Sequence, residues 1–113
     1  IQHIKVIKPN DVAISCVTLM EIRYGLLRAS GKKIEDIKKV IEAFIKVMTV
    51  LPFDQGIAEE AAQIRVGLNN DGTPIGAYDL LIGSTAKYYN LIMVTNNTKE
   101  FGKIEGLVLE DWR

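Results

Sequence analysis

A chain of 113 residues with 14 Lys or Arg against 14 Asp or Glu is long enough to bury one core, and its zero net charge argues against a nucleic-acid binder that relies on overall positive charge. One cysteine, Cys16, and one histidine, His3, exclude an intramolecular disulfide and leave too few ligands for a Cys/His zinc cluster, so any metal site must be oxygen-rich. No apolar run reaches the roughly 20 residues of a membrane-spanning helix and no basic-then-apolar leader is visible, so the expectation is a soluble, cytoplasmic chain.

The neutral balance hides an asymmetry. Residues 1–50 carry nine Lys or Arg against five Asp or Glu, and residues 51–113 carry five against nine. A basic half suits phosphates and an acidic half suits cations, although ordinary solvated helix faces give the same counts.

The chain opens on IQHIKVIKPN with no initiator Met. This stretch reads as the end of another element, and the chain as an N-terminally truncated fragment. Pro9, Asn10 and Asp11 signal a turn, after which Val12 to Ser15, short, apolar and β-branched, predicts a buried strand. Thr18 with Glu21 has capping-box spacing at the start of a helix whose apolar face carries Leu19, Ile22, Leu26 and Leu27, stopped by Ser30 and Gly31. Lys32 to Val47 predicts an amphipathic helix with the stripe Ile34, Ile37, Ile41, Phe44 and Ile45. Glu35 with Lys39 and Glu42 with Lys46 are its expected ion pairs on the wet side.

A second strand is expected over Thr49 to Phe53. Asp54 then caps a helix from about Gln55 to Leu68, where Ala58, Ala61 and Ala62 allow close packing. NNDGTPIG, residues 69–76, is a loop by composition. A mostly apolar helix, expected to be buried, spans about Ala77 to Tyr89 and ends at Asn90. Leu91 to Thr95 is the third strand and Leu107 to Leu109 a short fourth. Strands separated by helices predict a single α/β domain over 1–113 with a parallel sheet and crossover connections.

In such sheets ligands gather beyond the carboxyl ends of the strands. Glu21 and Asn97 both follow strand ends, whereas Asp79 follows a loop. In LIMVTNNTKEF, residues 91–101, an apolar strand breaks into Thr95, Asn96 and Asn97, with Glu100 close behind; polar oxygens at a strand end suggest a site for a hard cation. Each residue also has a plainer reading. Glu21 completes a capping box, Asp79 favours a helix dipole from the first turn, Asn97 is a turn residue and Glu100 a solvated loop charge. Asp79 differs in being followed by the apolar run LLIGSTA, so its carboxylate is expected to be partly buried and in need of a partner.

VTLMEIRYG, LPFDQGIAEEAAQIR, GTPIGAYDLLIGSTA, LIMVTNNTKEF and IEGLVLEDW follow one another in the order and at about the spacing of PIN-domain ribonucleases of the VapC toxin type. The chain resembles that family over essentially its whole length. The resemblance implies a PIN-like three-layer α/β fold, a central parallel sheet flanked by helices, whose opening strand ends in an Asp. No residue of 1–113 matches that Asp, so the sheet is expected either to pair with a separate segment or to expose an open groove.

Carried over residue by residue, Glu21 and Asp79 match the second and third acidic positions of the family site. Asn97 matches the fourth, and Glu100 stands in for the charge Asn97 lacks. Arg65, where many relatives carry Arg, is implied to contact phosphate or neutralise the site, or is a surface arginine. The resemblance further implies Mg²⁺ or Mn²⁺, hydrolysis of RNA such as tRNA to 5′-phosphate and 3′-hydroxyl ends, a VapB-like antitoxin partner, and a homodimer through residues 17–47. A second class of function stays open at this level: a catalytically incomplete PIN-like module that binds antitoxin or dimerises without turnover.

Overall fold

A computed structural model describes residues 12–111; the opening segment, with the expected turn at Asn10 and Asp11, and the last two residues lie outside the described residues. The chain forms two compact units, Ile1–Pro52 and Phe53–Arg113.

In the first unit, β1 (Ala13–Ser15) leads directly into α1 (Cys16–Arg28), and α2 (Lys32–Val47) leads into β2 (Thr49–Leu51). β1 and β2 run parallel, with Ile14 opposite Val50 and Ser15 opposite Leu51. A parallel pair needs a crossover, and the two helices supply it. The second strand stops at Leu51 rather than Phe53. Pro52, which has no N–H to give to a ladder, follows it directly.

The start of α1 corrects a sequence expectation. Ser15, not Thr18, is the N-cap: its Oγ accepts the Thr18 N–H at 3.0 Å, and its hydroxyl donates to Thr18 Oγ1 at 3.0 Å. Such a cap stabilises a helix by about 1 kcal/mol. Glu21 therefore lies a turn too deep to close a capping box. The expected stripe is also trimmed, since Leu19, Ile22 and Leu26 are half-buried while Leu27 is 83% exposed.

The boundaries of α2 are those the sequence predicts. Its expected ion pairs are not: Glu35 pairs with Lys38 at 3.6 Å, and Glu42 with Arg23 of α1. The tertiary partner wins because the planar Arg fork reaches the carboxylate across the helix pair. Hydrogen bonding to Arg23 holds the Glu42 carboxyl below the usual range. Ile34, Ile41 and Ile45 of the stripe are half-buried, whereas Ile37, Val40, Phe44 and Val47 are exposed.

In the second unit, α3 (Gln55–Asn70) is capped by Asp54, whose Oδ1 accepts the Ile57 N–H at 3.1 Å. Its buried face is Ile57, Ala61 and Leu68; Ala58 and Ala62, expected to pack, are exposed. Close approach comes instead through Gly56, where a Cβ would overlap the Tyr88 hydroxyl and stand 2.8 Å from Tyr88 Cζ. α3 runs two residues beyond the expected end and closes when Gly72 takes φ 72° and the Thr73 N–H reaches Leu68 O at 2.9 Å, a Schellman closure.

α4 (Ala77–Tyr88) is less buried than its apolar sequence suggests, with Gly83, Ser84 and Thr85 its buried residues. It ends as Asn90 adopts φ 56° and the Leu91 N–H bonds Ala86 O at 2.9 Å. β3 (Met93–Val94) and β4 (Leu109–Glu110) pair in parallel, both shorter or later than expected. Between them lies α5 (Thr98–Phe101), which the sequence did not signal. Phe101 and, just after it, Ile104 are 5% and 2% exposed and fix this segment in the core.

Candidate functional site

The second unit brings two of the expected acids together. Asp79 sits in the first turn of α4, half-buried. Gly76, the N-cap of α4, has no side chain to cap the helix, and its N–H is turned to Glu100 Oε2 at 3.4 Å. A Cβ built on Gly76 would lie 3.6 Å from Asp79 Oδ2. Both carboxylates thus converge on the loop that enters α4.

Their electrostatics differ. Partial burial, and then the neighbouring negative charge of Glu100, push the Asp79 carboxyl above the ordinary aspartate range. Glu100 is held below the glutamate range, first by its hydrogen bond from Lys103 and then by the Gly76 N–H. Lys103 Nζ lies 2.8 Å from Glu100 Oε1 and 3.2 Å from the Pro74 carbonyl. Glu100 is therefore a firmly ionised carboxylate bonded at both oxygens, rather than the free loop charge of the plainer sequence reading. Lys103 and Gly76 escaped the sequence reading; the Glu100 and Lys103 spacing of three residues was the available signal.

Asn97 stands at the N-terminus of α5 on the same segment as Glu100. Its backbone N–H bonds Thr95 Oγ1 at 3.0 Å, its carbonyl accepts the Phe101 N–H at 3.2 Å, and its side chain makes no capping bond. The carboxamide of this exposed residue is left available. Arg65 is exposed on α3. Glu21 belongs to the other unit, where it is exposed in α1 and its side chain makes no hydrogen bond or ion pair among the described residues.

The donor set decides which cation fits. Among the described residues no three or more Asp, Glu, His or Cys side chains cluster as a metal cage. A carboxyl raised first by burial and then by a neighbouring carboxylate is nonetheless one whose negative charge a hard cation stabilises. Mg²⁺ in particular is held through one or two carboxylates and keeps several waters. The pair fits such an ion and offers nothing to a soft metal.

Comparison with known proteins bears on the family and the fold. The PIN domain family model matches residues 2–107. The tRNA(fMet)-specific endonuclease VapC of Shigella flexneri is 42% identical over 103 residues, covering 91% of this chain and 76% of that protein. Ribonuclease VapC2 of Rickettsia felis is 36% identical over 105 residues, covering 93% and 77%. Among solved structures, DNA-bound VapBC from Salmonella typhimurium superposes with a TM-score of 0.80 at 40% identity, covering 89% of this chain and 75% of that one. FitAcB from Neisseria gonorrhoeae gives a TM-score of 0.81 at 28% identity, covering 92% and 78%. The fold is shared with these proteins, and with the family model matched over residues 2–107 the chain belongs to the PIN-domain family.

Proposed function

We propose that this chain is a divalent-cation-dependent endoribonuclease toxin of the VapC type, acting in the cytoplasm on RNA phosphodiester bonds in tRNA or other structured RNA and neutralised by a VapB-like antitoxin. The observation that carries the reading is the pairing of half-buried Asp79 with Glu100 at the entry to α4 in a PIN-domain chain. The names of the relatives, a tRNA endonuclease and a ribonuclease, and the toxin–antitoxin complexes among the structural relatives supply the substrate and partner classes. The family match runs through both compact units and supports one PIN-like domain over 1–113.

The residues take distinct roles. Asp79 would hold Mg²⁺ or Mn²⁺ and the Asn97 carboxamide is a neutral oxygen donor of the same unit; Glu21 is assigned as a metal ligand on the family resemblance alone. Glu100 supplies a negative charge that stays ionised, and Arg65 is available to a phosphate. When bound, the cation offsets charge on the phosphate oxygens and lowers the pKa of a neighbouring water. Asp79, whose proton is held more tightly than usual, accepts that cation best once it has ionised. In the hydrolysis a water oxygen bonds to phosphorus, the bond to the 3′ oxygen breaks, and a proton reaches the leaving oxygen; a 5′-phosphate and a 3′-hydroxyl result. The exposed apolar residues Ile37, Val40, Phe44 and Val47 of α2, with Met20 and Tyr24 of α1, support a homodimer through residues 17–47.

The test is cleavage of a structured RNA by the purified chain with Mg²⁺ or Mn²⁺, against chelator, Glu21→Gln and Asp79→Asn. Each substitution is expected to lower the rate by about 100-fold or more, as when one group acting on transition-state charge is removed. Glu21→Gln should leave stability within about 0.5 kcal/mol of wild type, because the side chain is exposed and caps nothing. Full cleavage by either variant would overturn the site assignment. A wild type that binds a VapB-like antitoxin yet cleaves no RNA would favour the binding module.

A further inference from the structure

The bonds around Glu100 form a strap to two backbone positions of one loop. Lys103 Nζ joins Glu100 Oε1 to the Pro74 carbonyl, and Glu100 Oε2 receives the Gly76 N–H. Pro74 and Gly76 belong to the loop that enters α4, and Gly76 O accepts the Leu80 N–H at 2.9 Å. The position of that loop therefore sets the first turn of α4, where Asp79 stands. Gly76 can supply no side-chain cap of its own, so the α5 segment does the work from outside the helix.

The lysine itself is not a freely moving surface side chain. Its backbone N–H bonds Glu100 O at 3.2 Å, and the Ile104 N–H bonds Phe101 O at 3.1 Å. The buried side chains of Phe101 and Ile104 lie two residues before it and one after. An ammonium presented from an anchored turn and bonded to both a carboxylate and a carbonyl is a fixed positive charge on Glu100 and on the loop entering α4.

We propose that Lys103 is a positioning residue and the built-in counter-cation of this site: it ties Glu100 to the loop entering α4 and so holds Asp79 in place in the metal-free chain. The proposal rests on reading Asp79 and Glu100 as the cation-binding carboxylates and goes beyond it by assigning the group that keeps them organised before a cation arrives. Two like charges at one loop repel; without the lysine the loop is free to move Gly76, and Asp79 with it, away from Glu100.

The experiment uses the whole chain in chelator and compares wild type with Lys103→Met, which keeps length and loses charge, and Lys103→Arg, which keeps charge. Amide hydrogen exchange over residues 76–80 is the readout, with the α3 amides as an internal check on the fold. Lys103→Met should speed exchange over 76–80 by about tenfold or more and leave α3 unchanged, while Lys103→Arg stays within about threefold of wild type. Saturating Mg²⁺ should restore much of the lost protection in the Met variant. Exchange over 76–80 that is unaltered in Lys103→Met, or not rescued by Arg, overturns the proposal.

Should Lys103→Met loosen α3 as well, Glu100→Gln gives the decision, since the strap requires it to loosen the same amides and not the others. If calorimetry finds no Mg²⁺ binding by the wild type, the cation-site reading fails, and the strap is then judged on the chelator arm alone.

Discussion

Gly83 is a point of close approach between α4 and the segment that carries Glu100, and substituting it tests whether that packing places the two carboxylates. A Cβ built there lies 2.5 Å from Ile104 Cδ1 and 3.4 Å from Phe101 Cδ1. Carbon atoms pack best at about 3.5–4.0 Å, so the contact must open by about 1 Å. Ile104, only 2% exposed, has little room to yield. Inserting a methyl into such packing costs about 1–3 kcal/mol, while replacing glycine by alanine inside a helix returns about 1 kcal/mol. Gly83→Ala should therefore destabilise by about 0–2 kcal/mol. Gly83→Val, with two further carbons and a poorer helix propensity than Ala, should destabilise by about 2–4 kcal/mol. In thermal unfolding these become shifts of about 4–6 °C per kcal/mol for a chain of this size.

The partner is checked by a double-mutant cycle. Ile104→Val removes the atom that Gly83 faces and alone costs about 0.5–1.5 kcal/mol; combined with Gly83→Val, the total should fall short of the sum by at least about 0.5 kcal/mol. Because α5 and Ile104 belong to one segment, the wedge should also weaken Mg²⁺ binding. Gly83→Val within about 0.5 kcal/mol of wild type, or strict additivity with Ile104→Val, would refute the packing argument.

Two further outcomes follow from the site and from the first unit. The folded-state pKa of Asp79 is raised, so the folded chain binds its proton more tightly than the unfolded chain; that contribution is present at low pH and is lost as pH rises from the ordinary value of 3.8 through the raised one. Metal-free Asp79→Asn should accordingly gain stability relative to wild type across that window, even as it loses cleavage, and a constant difference in melting temperature from pH 3 to 7 would contradict the assigned electrostatics. On α2, Phe44 and Val40 are exposed and apolar, and Phe44→Glu should convert a dimer to a monomer in sedimentation without loss of helix content; a monomeric wild type, or a dimer that survives the substitution, removes that surface from the assembly.

Much of this molecule could be read from local pattern. The limits of α2 follow from its apolar repeat, the cap on α3 from Asp54, and the end of α4 from Asn90, because each depends on residues within a turn or two. The motif order identified the family, and the oxygen-rich character of any cation site followed from a chain with one cysteine and one histidine. The cap on α1 was misplaced because Ser15, Thr18 and Glu21 offer overlapping capping signals, and only the backbone decides which hydroxyl reaches a free N–H. α5 was invisible because four residues carry too little periodicity to register.

What the tertiary structure alone decided is which charges meet. Sequence spacing paired Glu42 with Lys46, and the fold gave it to Arg23; spacing left Glu100 as a loop charge, and the fold placed it between Lys103 and the entry to α4, beside Asp79. Local rules rank neighbours along the chain, but the energy of a charge is set by whichever opposite charge, hydrogen-bond donor and loss of solvent it meets in three dimensions, here a guanidinium 19 residues away for Glu42 and a backbone N–H 24 residues away for Glu100.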